Sequence, residues 1–481
     1  MSSLAPVPAR VALPILLMVS SLVAGLSAPA VVRGEPWALA GGIIVLALPL
    51  LVVSGVRHLD LLLFAGLLAA LVFFTAIYHR DLVQSTYRHP FYGTTVLRVT
   101  LPELLALGVV GGALGRRALL GAGGGVRAGL VPLLVAVLVL LGLTVGVARH
   151  GDFEACLRDG RKVAYVALGH LAVVLVVGEQ YRRAHPLLIV AAVVAVAAAG
   201  VQLTNYLHGE AFVYGEFSRA TVDVADFLVL LALVVVPAAL LRLRVWTGGK
   251  IALALTLMFI GVGGTLVTFS RAAWAALPVG AAIVLLFPPQ RLRPSRRLAT
   301  ALGLLVVMLV PFVVEGTAPL AWKRVGTLAE PESDPSLSYR LRELSGGLSV
   351  VASHPLLGLG FGTPFQVAAS LEHRRAEAPT LVHNLLLWVT IKGGIPGLLL
   401  VAGIFLLVTA NLVRAIRASP SRQEAALALG LLALLGIFIA IGMVGAMLNQ
   451  TRTSFLLGFL SGAAQVLGSR KAPPAFAEGG R

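Results

Sequence analysis

Three side chains stand where an apolar sequence has no ordinary use for them. Arg271 lies in Thr268-Phe269-Ser270-Arg271-Ala272-Ala273-Trp274, between two hydrophobic runs with almost no loop. An arginine at that depth is costly, so it pairs, snorkels to the headgroups or serves a ligand. Its planar fork of donors suits phosphate oxygens. Arg340 stands in Ser338-Tyr339-Arg340-Leu341-Arg342-Glu343-Leu344, periodic enough for a helix lying on the membrane. His383-Asn384 opens the apolar run that follows. Histidine exchanges a proton near neutral pH, and at a membrane face it can take one from an attacking hydroxyl. The plain alternative for this pair is an N-cap by Asn384, with His383 hydrogen-bonded to loop backbone.

Between Arg340 and His383 runs His354-Pro355-Leu356-Leu357-Gly358-Leu359-Gly360-Phe361-Gly362. Pro355 stops the preceding helix. The alternating glycines allow tight turns and close approach of backbone to a ligand, or serve as a plain turn. No strand precedes them, so a dinucleotide fingerprint is not supported. Further on, Gly393, Gly394, Pro396 and Gly397 predict a break or a close helix contact inside the apolar run.

These residues must be positioned by a membrane protein. Of 481 residues, 58% are hydrophobic and 12% charged, against about 25% charged in soluble domains. A cytosolic enzyme, a disordered chain and a single-anchor receptor are excluded. At roughly 20 residues per helix, the apolar content suffices for about 14 spans. Cys156 is the sole cysteine, which removes intrachain disulfides and zinc–thiolate sites. The net charge of +17 has no aromatic-interleaved basic stripe, so nucleic acid is not expected as a partner.

Spans are expected at 12–32, 38–56, 59–78, 95–115, 128–148, 163–181, 185–205, 222–241, 251–269, 272–288, 298–315, 381–411, 425–447 and 453–469. The fourth contains Glu103 and could be re-entrant, so the expected architecture is an all-α integral membrane protein of 12 to 14 helices. Alternating sides leaves 20 cations and four acids on one face, and 18 cations and 17 acids on the other. The positive-inside rule puts the first face, with both termini, in the cytoplasm. The organisation is then helices 1–11 over residues 1–315, a large external loop over 316–380, helices 12–14 over 381–469 and a cytoplasmic tail over 470–481. Loops of that length are usually functional or disordered. The first span ends in Ala28-Pro29-Ala30, which resembles a signal-peptide cleavage site, but its length and the spans that follow favour a retained helix. No inverted repeat of the transporter kind is visible.

Taken in order, Thr268-Phe269-Ser270-Arg271 with Trp274, Ser338-x-Arg340 followed by the His354–Gly362 run, and His383-Asn384 with Leu387 and Gly394-x-x-Gly397 resemble the O-antigen ligase and polymerase superfamily of bacterial polytopic membrane proteins. The resemblance implies a C-class-glycosyltransferase-like helical fold in the bacterial inner membrane, with its active site in the periplasm. It implies transfer of a glycan from undecaprenyl diphosphate to an acceptor hydroxyl, without a metal or other cofactor. The acceptor is lipid A–core in a ligase and a lipid-linked glycan in a polymerase, and other envelope polysaccharide proteins are possible partners. By the same resemblance His383 is the base, and Arg271 and Arg340 hold the diphosphate as charge develops. Arg219 is a third, weaker arginine. Ser270, Asn384, His354, Gly360 and Gly362 are expected to contact substrate.

Two departures bear on the acceptor. Leu344 stands where many relatives have tryptophan. Thr221-Val222-Asp223-Val224-Ala225-Asp226 replaces a Pro-Asn pair, and Asp223 and Asp226 are candidate substitutes as polar contacts. A transporter or lipid-linked oligosaccharide flippase is the competing class; it would need charges within spans, of which Lys392 is the main instance. A non-catalytic envelope scaffold is the third reading.

Overall fold

A computed structural model describes residues 63–68, 70–71, 101–120, 129–150, 152–178, 184–207, 212–214, 217–219, 224–242, 248–268, 270–287, 335–365, 382–419, 421–445 and 447–469. The expected spans 12–32, 38–56 and 298–315, the tail 470–481, and segments 316–334 and 366–381 of the large loop lie outside the described residues.

Helices follow the apolar runs: α1 (Leu101–Leu120), α2 (Val131–His150), α3 (Phe153–Val177), α4 (Ala184–Leu207), α5 (Val224–Leu241), α6 (Gly248–Val267), α7 (Arg271–Leu286), α8 (Pro335–Ser353), α9 (Leu385–Ala418), α10 (Arg422–Gly442) and α11 (Thr451–Gly468). Among the described residues six, namely α2, α3, α5, α6, α9 and α10, are long and apolar enough to cross a membrane. Leu140, Leu253, Leu286, Leu399 and Leu406 point outward from their helices, which suits hydrocarbon better than water. The architecture is that of an all-α integral membrane protein. One small departure lies between α4 and α5, where β1 (Phe212–Tyr214) pairs antiparallel with β2 (Phe217–Arg219), Phe212 opposite Arg219.

The chain forms two compact units. The first comprises residues 1–128 and 171–198. In it α1 is one unbroken helix of 20 residues, with Glu103 buried, although the sequence left room for a re-entrant segment. Arg117 donates from Nη2 to the Leu175 carbonyl at 3.0 Å.

The second unit, residues 129–170 and 199–481, contains every candidate site residue named above. Here α5 runs antiparallel to α10, with Val224 beside Gly445 and Val236 beside Gly430. α7 runs parallel to α5: Val235 meets Gly280, and Arg242 donates from Nη1 to the Val284 and Phe287 carbonyls at 2.6 and 3.2 Å. α3 and α11 touch backbone to backbone at Gly169 and Gly458, an approach only small residues permit. Beside that crossing the His170 Nδ1 lies 2.9 Å from the Ser461 Oγ.

α9 has 34 residues, about 50 Å at 1.5 Å per residue, well beyond a roughly 30 Å hydrocarbon core. It breaks at Gly394 (φ 63°, ψ −164°), inside the glycine cluster that predicted a break. The break strands backbone groups. The Lys392 carbonyl would bond the N–H of residue 396, which is proline and has none. The glycine-rich loop after α8 repairs this. Leu359 N–H donates to the Ile391 carbonyl at 2.7 Å, and Gly360 N–H to the Lys392 carbonyl at 3.0 Å. Ile395 N–H donates in turn to the Pro355 carbonyl at 2.9 Å. Buried amides and carbonyls are thereby paired across a helix interruption.

Candidate functional site

α8 ends at Ser353, one residue short of His354-Pro355, as Pro355 requires. It descends alongside the first turns of α9, with Glu343 beside His383 and Gly347 against Leu387. It therefore keeps α9 company; the sequence alone read it as a helix on the membrane surface. Arg340 and Glu343, three residues apart, share one face of α8.

His383 is the centre of this contact. Its Nδ1 lies 3.0 and 3.1 Å from the two carboxylate oxygens of Glu343, and its backbone N–H donates to Oε2 at 3.4 Å. The histidine side chain is 36% exposed and the glutamate 4%, so the carboxylate is sealed behind a ring that still reaches the surface. Asn384 is the N-cap of α9: its Oδ1 accepts from Leu387 N–H at 3.0 Å, and its Nδ2 donates to the Met443 carbonyl at 3.0 Å. Arg340 donates from Nη1 to the next carbonyl along, that of Val444. The turn after α10 is thus a hub for both motif residues.

Arg271 is the first residue of α7 and is partly buried. Gly280 meets Val235 near the middle of α5, and both helices start at the same end as Gly445. Nine residues before Gly280, about 13 Å along the axis, Arg271 comes level with the Met443–Gly445 turn. Ser270 is the N-cap of α7, accepting from Ala273 N–H at 3.4 Å. Thr268 Oγ1 and Trp274 Nε1 both donate to the Thr265 carbonyl, at 2.6 and 3.0 Å, locking the α6–α7 corner that presents Arg271. The Thr-Phe-Ser-Arg-x-x-Trp motif is therefore the description of a tight corner ending in an arginine.

The remaining expected residues fall elsewhere. His354 follows α8, its Nδ1 2.9 Å from the Ser353 Oγ, at the end of α8 remote from Arg340. Arg219 lies on β2, paired through its backbone with Phe212. Gly360 and Gly362 were expected to bring backbone to a ligand, and instead bring it to the protein. At φ 84° and 72° both occupy left-handed conformations. A Cβ on Gly360 would stand 2.1 Å from the Gly146 nitrogen, and one on Gly362 2.4 Å from the Cys156 nitrogen. Their amides are spent on the Lys392 carbonyl and on Asp159 Oδ2.

Below the site lies a second polar cluster that the sequence did not assemble. Lys392, fully buried, donates from Nζ to the Thr363 carbonyl at 2.8 Å and lies 3.4 Å from Asp159 Oδ2, with the Phe365 ring centroid 5.3 Å away. Cys156 Sγ donates to the Phe361 carbonyl at 3.0 Å. Asp159 thus ties the glycine loop and α9 to α3. Asp226, a candidate acceptor contact, is buried and paired with Arg452 at 2.6 Å.

Glu343, Asp159, Arg452 and the Met443–Val444 turn were missed. A signal existed for Glu343, since its spacing from Arg340 puts both on one helix face. For Asp159 the signal was indirect: a lysine inside a span requires a carboxylate somewhere, but nothing local says which. Among the described residues no group of three His, Cys, Asp or Glu gathers as a metal site.

The fold and site define a polytopic helical membrane protein with basic and imidazole groups at one end. Residues 253–402 match the family model described as O-Antigen ligase. That match supports the O-antigen ligase and polymerase superfamily, whose members are glycosyltransferase-like and use lipid-linked glycans at the membrane. The segment holds α7, α8 and the start of α9, hence Arg271, Arg340 and His383. No curated protein matches the chain.

Proposed function

We propose that the chain is a metal-independent O-antigen ligase-type glycosyltransferase working at the periplasmic face of the bacterial inner membrane. The observation that carries this is that Arg340 and Asn384, the neighbour of His383, both bond the turn after α10, with Arg271 level with it; these four residues fall within the matched segment. The donor is a glycan on undecaprenyl diphosphate, and the acceptor is a hydroxyl of lipid A–core. His383 takes the proton of that hydroxyl as its oxygen attacks the anomeric carbon. The bond from that carbon to the diphosphate breaks, and the lipid diphosphate leaves with its charge held by Arg271 and Arg340. Arg340 sits where its guanidinium can exchange a backbone carbonyl for phosphate oxygens, and Arg271 opens α7 at the same end. Arg219, on the hairpin, is the reserve cation. Asn384 and Ser270 act by capping the helices that present His383 and Arg271, and Gly360 and Gly362 by anchoring the loop.

Lys392, the charge within a span that favoured a transporter, is sealed and paired with Asp159 in the anchor, which supports the enzyme reading. The test is the glycan phenotype of a deletion strain, read by gel and by mass spectrometry of lipid intermediates. Long lipid-linked polymer with bare lipid A–core is the expected result. Single repeat units left on the carrier, with core capped by one unit at most, would make the chain a polymerase. No change in either pool would overturn both.

A further inference from the structure

We infer that Glu343 is a positioning residue for His383, selecting the tautomer and ring orientation with which that histidine acts as a base. The inference rests on the glycosyltransferase reading above.

The glutamate is an unlikely residue to bury without cause. It sits on a helix facing an apolar neighbour, its carboxylate is 4% exposed, and removing a carboxylate from water is expensive unless it is hydrogen-bonded. Among the described residues its partners are the ring and the backbone N–H of a single residue, His383. A carboxylate only accepts, so Nδ1 must carry the hydrogen, and a neutral ring so held accepts through Nε2. The backbone bond from His383 N–H grips the same carboxylate, which fixes the ring to the residue's own main chain and limits its rotation. When the ring takes the acceptor's proton at Nε2 it becomes an imidazolium, and the facing carboxylate stabilises that charge. This is the division of labour between an orienting carboxylate and a histidine base. Glu343 is carried by the same turn of α8 as Arg340, so the group proposed to hold the leaving diphosphate and the group that aims the base are placed by one rigid element.

The experiment uses the full chain reconstituted in vesicles, with undecaprenyl-diphosphate-linked oligosaccharide as donor and purified lipid A–core as acceptor. The variants are Glu343→Gln, Glu343→Asp, His383→Ala and the double variant Glu343→Gln/His383→Ala. Glu343→Gln is expected to lower kcat by about 10²- to 10⁴-fold, the range for losing an aligned general base, with the KM for donor held within about threefold. Glu343→Asp should recover part of kcat, and the double variant should be no slower than His383→Ala, because groups acting as a unit are not additive. Wild-type kcat in Glu343→Gln, with His383→Ala inactive, overturns the positioning role and leaves the base assignment standing. An active His383→Ala sinks the base assignment itself. Should Glu343→Gln fail to fold, the split is read on Glu343→Asp: reduced kcat at unchanged thermal stability supports the inference, and lost stability with kcat per folded molecule kept overturns it.

Discussion

His383 and Lys392 stand nine residues apart along the same stretch of chain, and each is held by a carboxylate from another helix. The two pairs differ in what surrounds them. Glu343 is sealed, but the ring it holds is about a third exposed. Asp159 and Lys392 are both sealed, at 6% and 1% exposure, among loop carbonyls and the Phe365 ring. Breaking a fully buried pair leaves an uncompensated charge, which belongs to stability. A half-open pair keeps a partner ready for something from outside, which belongs to chemistry. Similar ingredients on one stretch of chain thus serve different ends, and access to the surface separates them.

The sharpest way to break that contrast is His383→Ala. It should reduce glycan transfer by about 10²- to 10⁴-fold, while membrane insertion stays as in the wild type and the thermal unfolding midpoint falls less than for Lys392→Ala, since water reaches Glu343 where the ring stood. A variant that turns over normally would remove His383 from the chemistry. Lys392→Ala should do the opposite. It leaves the buried Asp159 with only the Gly362 amide and Lys162, 4.0 Å away, to offset its charge, at a cost of up to about 3–5 kcal/mol in stability, seen as a lowered unfolding midpoint in detergent. Replacing both partners, as Asp159→Leu with Lys392→Met, should restore most of that loss, since a packed apolar pair replaces a packed ionic one. If the double variant is as unstable as the single, the anchor works by something other than its charges.

Arginine chemistry sharpens the comparison further. Arg340→Lys and Arg271→Lys keep the charge but lose the planar fork. A drop of about tenfold to a hundredfold in kcat/KM for donor is expected, from the loss of one charge-assisted bond at about 1.5–3 kcal/mol. Kinetics indistinguishable from the wild type would mean that only net charge matters there. The smallest effect should come from a chelator. Excess EDTA is expected to leave transfer unchanged, and a loss restored by magnesium would refute the metal-independent mechanism.

Much of the fold is legible in the sequence. Apolar runs of span length become helices because a hydrocarbon environment leaves the backbone no other partner, so α1, α2, α4 to α7 and α9 to α11 lie close to where hydropathy put them, whereas α3 begins at Phe153, ten residues before the expected 163. Pro355 and the Gly393–Gly397 cluster marked a helix end and a helix break, since proline lacks an N–H and glycine alone tolerates φ near +63°. Arg271 and His383 were conspicuous because a polar group in so apolar a chain needs a reason.

What the sequence could not settle was which polar groups meet. Glu343 and His383 are 40 residues apart, Asp159 and Lys392 are 233 apart, and Asp226 and Arg452 are 226 apart. Nor could spacing tell that Gly360 and Gly362 close onto Gly146 and Cys156 instead of onto a ligand. Local sequence determines the elements and their ends, because hydrogen bonding within a helix is a short-range matter. Tertiary packing alone decides which buried charge faces which, because neutralising it depends on a few ångströms of distance between elements that no local pattern encodes.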